Sequence, residues 1–170
     1  MRKPKNTLTI LASAALTFLA GCANYQLGTT LPSHLRSIYV ETFKNATKEP
    51  QIETTITSQS IREFQRDGQL KVKGADDADI ILKGVITDYE LESVRSNRNN
   101  PKATLEYKAI VTVQIIATER TTGKKIVAQS VTGSKIFDVR GDLMTARRNI
   151  LPEVSRELGR KVVDAVISAW

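Results

Sequence analysis

Apolar and polar positions alternate most cleanly between 105 and 118. Leu105, Tyr107, Ala109, Val111, Val113, Ile115 and Ala117 share one parity, and Glu106, Lys108, Thr112, Gln114 and Thr118 share the other. A period of two with one polar face predicts a half-solvated antiparallel strand. Thr121-Thr-Gly123-Lys predicts a hairpin turn, and Lys125 to Arg140 predicts a returning strand through Ile126, Ala128 and Ile136. Upstream, Arg36–Phe43 and Ala78–Val94 alternate well enough to be strands, with Gln69–Lys73 as a shorter candidate. Gln51–Asp67 predicts a helix that places Ile52, Ile56 and Phe64 on a broad apolar side and stops at Gly68; Ile61 widens that side. From Asp142 to Trp170 the apolar residues Leu143, Ala146, Ile150, Val154, Leu158, Val162, Ala165 and Val166 recur at helical steps. Asp142 is a candidate N-cap. Pro152 predicts either a kink or the first turn of a second helix.

The order strand, helix, strands, helix predicts an α+β fold. Two amphipathic helices and a half-buried sheet close a core as a two-layer sandwich, with a mixed, mostly antiparallel four-stranded sheet and both helices on one face. Residues 1–21 stand outside that fold. Arg2, Lys3 and Lys5 form a basic head, an apolar run follows from Leu8 to Ala20, and small residues lead to its exit. This is the pattern of a secretory signal peptide. Its apolar run spans about 20 Å as a helix, too short for a hydrocarbon core of about 30 Å. The predicted organisation is therefore a signal peptide over 1–21, a tether over 22–34 and one domain over 35–170, with no internal repeat.

Composition sharpens this picture at one residue. The 170-residue chain has one cysteine and one histidine, which excludes an internal disulfide, a CxxC redox pair and a four-ligand zinc site made from these residue types. That cysteine, Cys22, sits at the exit of the leader. Leu19-Ala-Gly-Cys22 resembles the bacterial lipobox, in which the thiol receives a diacylglyceryl group and the leader is cut just before it. The resemblance implies a chain anchored to a membrane by its lipids, palmitate among them. Ala23 follows the cysteine where an aspartate would resemble an inner-membrane retention signal, so the expected location is the periplasmic side of the outer membrane.

Charge is the second adjustment. Three of the seven excess positive charges belong to the leader, which leaves +4 for residues 22–170. The sequence carries no GxSxG, HExxH, GxxxxGK[ST] or GxGxxG motif, and His34 has no nucleophile motif near it. No catalytic residue, metal or cofactor is assigned, and the expectation is a protein that is not an enzyme. Asp76, Asp77 and Asp79 read as a solvated turn rather than a cation site. In an up-and-down meander, Arg95, Arg98 and Lys102 lie at the same sheet end as Lys135 and Arg140, with Arg147 and Arg148 close by in the last helix. Guanidinium groups bind phosphates through paired hydrogen bonds, so this cluster suits a phosphorylated glycolipid; a solvated basic rim is the alternative. Nucleic acid is not expected as the partner of an exported lipoprotein.

Several short segments together resemble a known family. Tyr25-Gln-Leu-Gly, Leu31-Pro, Ile38-Tyr-Val, Asn45-Ala-Thr, Glu49-Pro, Ile61-Arg-Glu-Phe and Ala78-Asp-Ile-Ile-Leu-Lys-Gly resemble, in register, the LptE-type lipopolysaccharide-assembly lipoproteins. That resemblance implies a small lipoprotein that plugs and helps assemble a large outer-membrane β-barrel translocon (LptD-type), and that aids insertion of lipopolysaccharide into the outer leaflet. It also implies lipopolysaccharide binding through basic residues, for which Arg95, Arg98, Lys102, Lys135 and Arg140 are the candidates. The alternative is another envelope lipoprotein serving as a regulatory or auxiliary subunit in peptidoglycan synthesis or lipid transport.

Overall fold

The computed structural model describes residues 32–96, 104–139 and 141–170. The elements run β1 (Ser37–Val40), β2 (Lys44–Asn45), α1 (Ile52–Asp67), β3 (Lys71–Val72), β4 (Ile80–Ser96), β5 (Thr104–Glu119), β6 (Lys125–Asp138) and α2 (Leu143–Ile167). One sheet holds all six strands in the order β3-β1-β4-β5-β6, and β2 pairs with β4 as well. β1 is parallel to both neighbours, a pairing that needs the crossover through α1, whereas β4, β5 and β6 form an antiparallel meander. The α+β class with a mixed sheet and two helices is the expected one. Among the described residues six strands replace the expected four because two are stubs of two residues, β2 and β3.

The long meander follows the alternation in the sequence. Ala109, Val111, Val113, Ile115 and Ala117 are all buried, while Gln114 and Ile116 of the other parity are exposed. The expected strand over 36–43 is broken, and the cause is a distant residue. The Phe43 amide donates to Thr57 Oγ1 of α1 (3.0 Å) instead of to a strand, and the buried Phe43 ring lies over Gly84 of β4. A Cβ at Gly84 would come within 2.7 Å of that ring, so the glycine makes room for it.

Both helices cover the same sheet face and share one hydrophobic core with it. The buried stripe of α2 contains Ile150, Val154, Leu158, Val162 and Val166, as the spacing predicts. Asp142 caps this helix, accepting from the Thr145 amide at 2.8 Å. Pro152 neither ends α2 nor begins a new helix, because it sits on the exposed side where water can solvate the carbonyl it leaves unpaired. The unclean stripe of α1 also has a packing cause. α1 touches the sheet on one side and α2 on another, so Thr57, Gln59, Ser60 and Glu63 are buried beside Ile52, Ile56 and Phe64. Gly159 of α2 permits the close crossing, since a Cβ there would meet the Gln59 carbonyl oxygen and Ser60 Cα at 3.3 Å.

β6 is an edge strand. α2 lies against it at Gly133, where a Cβ would come within 2.7 Å of Leu158 Cβ and 2.9 Å of its amide nitrogen. One helical turn further, Lys161 Nζ reaches over and donates to the Thr132 carbonyl (2.8 Å).

Two glycines make a matched test of this packing. Gly133→Ala pushes a methyl group into helix backbone that cannot step aside and is expected to cost about 1–3 kcal/mol. Gly74→Ala, with nothing within 4 Å of the new Cβ, is expected to stay within about 1 kcal/mol of the parent. Urea unfolding midpoints of the two variants check both values.

Candidate functional site: a basic cleft between the β2–α1 loop and α2

Of the five basic residues expected to cluster, Arg95 and Lys135 fall within the described residues, whereas Arg98, Lys102 and Arg140 lie outside them, as does Cys22. Arg95 pairs in register with Glu106, and Lys135 with Ala109, so both occupy the sheet half where β4 ends and β5 begins. They point to opposite faces. Ala109 belongs to the buried, helix-covered parity of β5 and Glu106 to the open one, which puts Lys135 on the helix side and Arg95 on the other. The reason is a register shift between Ser93 and Arg95 that turns Arg95 outward. There its guanidinium meets the Glu106 carboxylate at 3.3 Å.

The open face around Arg95 is not basic. Asp88, Glu90 and Glu92 line up along β4, and the Asp88 charge pushes the Glu90 carboxyl above the usual carboxylate range. Asp79, part of the acidic turn of the sequence, is likewise structural. The Ser37 hydroxyl (2.7 Å) and the Arg36 amide (3.0 Å) donate to its carboxylate and hold its pKa below the ordinary range. Its role is to fasten the start of β1 to the start of β4.

Positive charge converges elsewhere. A cleft of about 580 Å³ opens between the β2–α1 loop and the first turns of α2, lined by Lys48, Glu49, Gln51, Arg147, Arg148 and Leu151 among others. The loop wall is built by local side-chain bonds. Asn45 Oδ1 accepts from the Thr47 amide (2.9 Å) and hydroxyl (2.8 Å), and Asn45 Nδ2 donates to the Glu49 carbonyl (2.7 Å) and Glu53 Oε2 (3.0 Å). The Glu49 amide donates in turn to Thr47 Oγ1 (3.1 Å). Gln51 adopts φ 61° to lead this loop into α1.

Arg147 joins the two walls. Its guanidinium is hydrogen-bonded to the Glu49 carboxylate and lies 5.4 Å from the Tyr89 ring centroid on β4. Its Nε is buried without a hydrogen-bond partner. Burial raises the Tyr89 pKa above the ordinary tyrosine value, and Arg147 acts against that shift. With the Arg147 charge answered by Glu49, the exposed Lys48 and Arg148 leave the cleft net positive. Such a cleft can hold a phosphate or carboxylate through one ammonium and one guanidinium group. Arg147 and Arg148 stand near the expected cluster in the sequence, but Lys48 does not. Its loop was visible only as the Asn45-Ala-Thr47…Glu49-Pro50 segment, and nothing local shows that α2 covers it. Among the described residues no three His, Cys, Asp or Glu side chains group as metal ligands.

A family model for LptE, lipopolysaccharide assembly, matches residues 35–166. A search of curated proteins gives no match. Among solved structures, the fold is similar to that of protein XCC0632 from Xanthomonas campestris, with a TM-score of 0.58 and 9% identity over 82% of this chain and 90% of that one. It is similar also to hypothetical protein CT253 from Chlamydia trachomatis, with a TM-score of 0.57 and 10% identity over 79% and 96% of the two chains. A candidate lipoprotein from Caulobacter crescentus aligns with a TM-score of 0.51 and 11% identity, over 74% and 88%. At these identities the likeness is one of fold.

Removing the joint between the walls has two expected readouts. Arg147→Met leaves Glu49 without its cation and is expected to cost about 1–3 kcal/mol in urea unfolding. It also removes the charge that favours tyrosinate, so Tyr89 should ionise at still higher pH, seen as a later last step in absorbance titration at alkaline pH.

Proposed function

Because this chain belongs to the LptE lipopolysaccharide-assembly family, we propose that it is an outer-membrane lipoprotein, anchored through Cys22 on the periplasmic side. In this reading it plugs and helps assemble the β-barrel that delivers lipopolysaccharide to the outer leaflet. The observation that carries the reading is the family match over residues 35–166, which contains every strand and nearly all of α2. Its part is non-catalytic: it binds and positions. The phosphorylated glycolipid is met at the cleft of Lys48, Arg147 and Arg148, whose charge suits phosphate groups. One feature supports a place inside a barrel. The uncovered sheet face carries Glu90, Glu92, Lys108, Thr112 and Gln114, which suits a polar lumen rather than lipid.

Two experiments test this. After mild detergent extraction the tagged chain is expected to bring down a large β-barrel protein in stoichiometric amount; recovery of a peptidoglycan synthase or an inner-membrane transporter instead overturns the plug reading. Lys48→Glu with Arg148→Glu is expected to weaken lipopolysaccharide binding at least tenfold in a direct binding titration, whereas Lys135→Glu changes it less than twofold. Equal effects of the two would remove the cleft from the reading.

A further inference from the structure

The described chain begins at one end of the sheet and is fastened there. Leu35 is buried and its amide donates to the Pro32 carbonyl (3.0 Å), while the Arg36 amide and Ser37 hydroxyl bind Asp79. His34 Nε2 lies 3.5 Å from the Glu119 carboxylate. The same end holds the starts of β1 and β4 and the finish of β5, since Ile38 pairs with Ile80 and Ile80 with Glu119. Beyond that row projects the β5–β6 turn with Arg120 and Lys124, and Lys125 opens β6; all three are exposed. Arg120 is braced, its amide donating to the Asp79 carbonyl (2.8 Å) and its Nε to the Ala78 carbonyl (2.7 Å).

Beside the hairpin stand two carboxylates, Asp79 and Glu119, against the three cations Arg120, Lys124 and Lys125. Glu119 accepts from the Thr122 hydroxyl and faces His34. Asp76 and Asp77 precede β4, two strands away from Lys124 and Lys125. Pro32 lies ten positions after Cys22, a reach of at most about 33–36 Å when fully extended. From Ile80 to Val94 the meander runs roughly 46 Å at strand rise. An anchor at Cys22 therefore ties the domain to the bilayer by its hairpin end, and the Arg95 end is the far one along the meander.

We infer that the β5–β6 hairpin is the membrane-facing tip of the domain, with Arg120, Lys124 and Lys125 resting on the phosphate groups of anionic phospholipids. The inference rests on the anchor at Cys22 and the plug reading proposed above, with the hairpin protruding at the periplasmic rim of the barrel and the rest of the domain in the lumen. It goes beyond them by assigning an orientation and a contact surface.

The test attaches the chain artificially, so that its outcome does not depend on natural lipidation. The chain from Cys22 onward, which contains the whole described core, is coupled through its one thiol to a maleimide lipid. The vesicles are phosphatidylcholine with or without phosphatidylglycerol. In a Trp170→Phe background the sole tryptophan is placed by Thr122→Trp or by Val94→Trp, and a headgroup nitroxide lipid quenches it. Thr122→Trp is expected to be quenched several-fold more than Val94→Trp on anionic vesicles, with the difference shrinking on neutral ones. Each cation at an anionic surface is worth about fivefold in partitioning, so Lys124→Ser with Lys125→Ser should lower binding of the uncoupled chain to anionic vesicles at least tenfold. That pair leaves the Arg120 brace intact, and adding Arg120→Ser should deepen the loss. Quenching that is equal at the two positions or stronger at Val94, or binding unchanged by the lysine pair, overturns the inference. Mass measurement of the natural chain decides the Cys22 anchor separately.

Discussion

A meander with one apolar face and one polar face cannot close a core on itself, and this constraint organises the molecule. Ala109, Val111, Val113, Ile115 and Ala117 all emerge on one side of β5, so everything that excludes water from them must come from that side. α1 and α2 do this together, and neither suffices alone. α2 spans β5 and β6, α1 covers the β1 and β3 side, and the helices seal against each other at Gly159 and Ser60. Each valine or isoleucine side chain so covered contributes about 1.5–3 kcal/mol relative to exposure. That is large beside any single ion pair on this surface. Glycines at 84, 133 and 159 mark where the covering layer comes nearest.

The basic cleft is a by-product of the same arrangement. Covering the meander brings the first turns of α2 over the β2–α1 loop, and Arg147 then lies between Glu49 and the Tyr89 ring. The joint stiffens the cleft, because a guanidinium held by a carboxylate on one side and a ring on the other has little freedom left. Lys48 and Arg148 keep theirs. The result combines a fixed floor with two exposed cations.

Much of the fold could be read from the sequence because its signals are local. The alternation of β5, the Asp142 cap and the stripe from Ile150 to Val166 each need only a dozen neighbouring residues. What escaped was set by distant partners. Phe43 leaves its strand because Thr57 takes its amide, and Arg95 turns from the Lys135 face because the register shifts at Ser93. Local periodicity carries neither event. The site suffered most, since Glu49 and Arg147 stand 98 residues apart in the chain. Charge counting found Arg147 and Arg148 as neighbours of a cluster but had no means of bringing Lys48 to them. The lipobox resemblance at Cys22 belongs to a different class of signal, read from the order of residue types alone.

The reach of Lys161 to the Thr132 carbonyl has a consequence for solution behaviour. β6 is fourteen residues long and presents its outer backbone groups to solvent, the kind of row on which another chain can continue the sheet. An ammonium group seated on one of its central carbonyls interrupts that row, and a second strand could add there only by displacing a hydrated charge. Lys161, itself paired with Glu157, thus sets a charge at the middle of an open β-edge, where edge-to-edge growth would have to displace it.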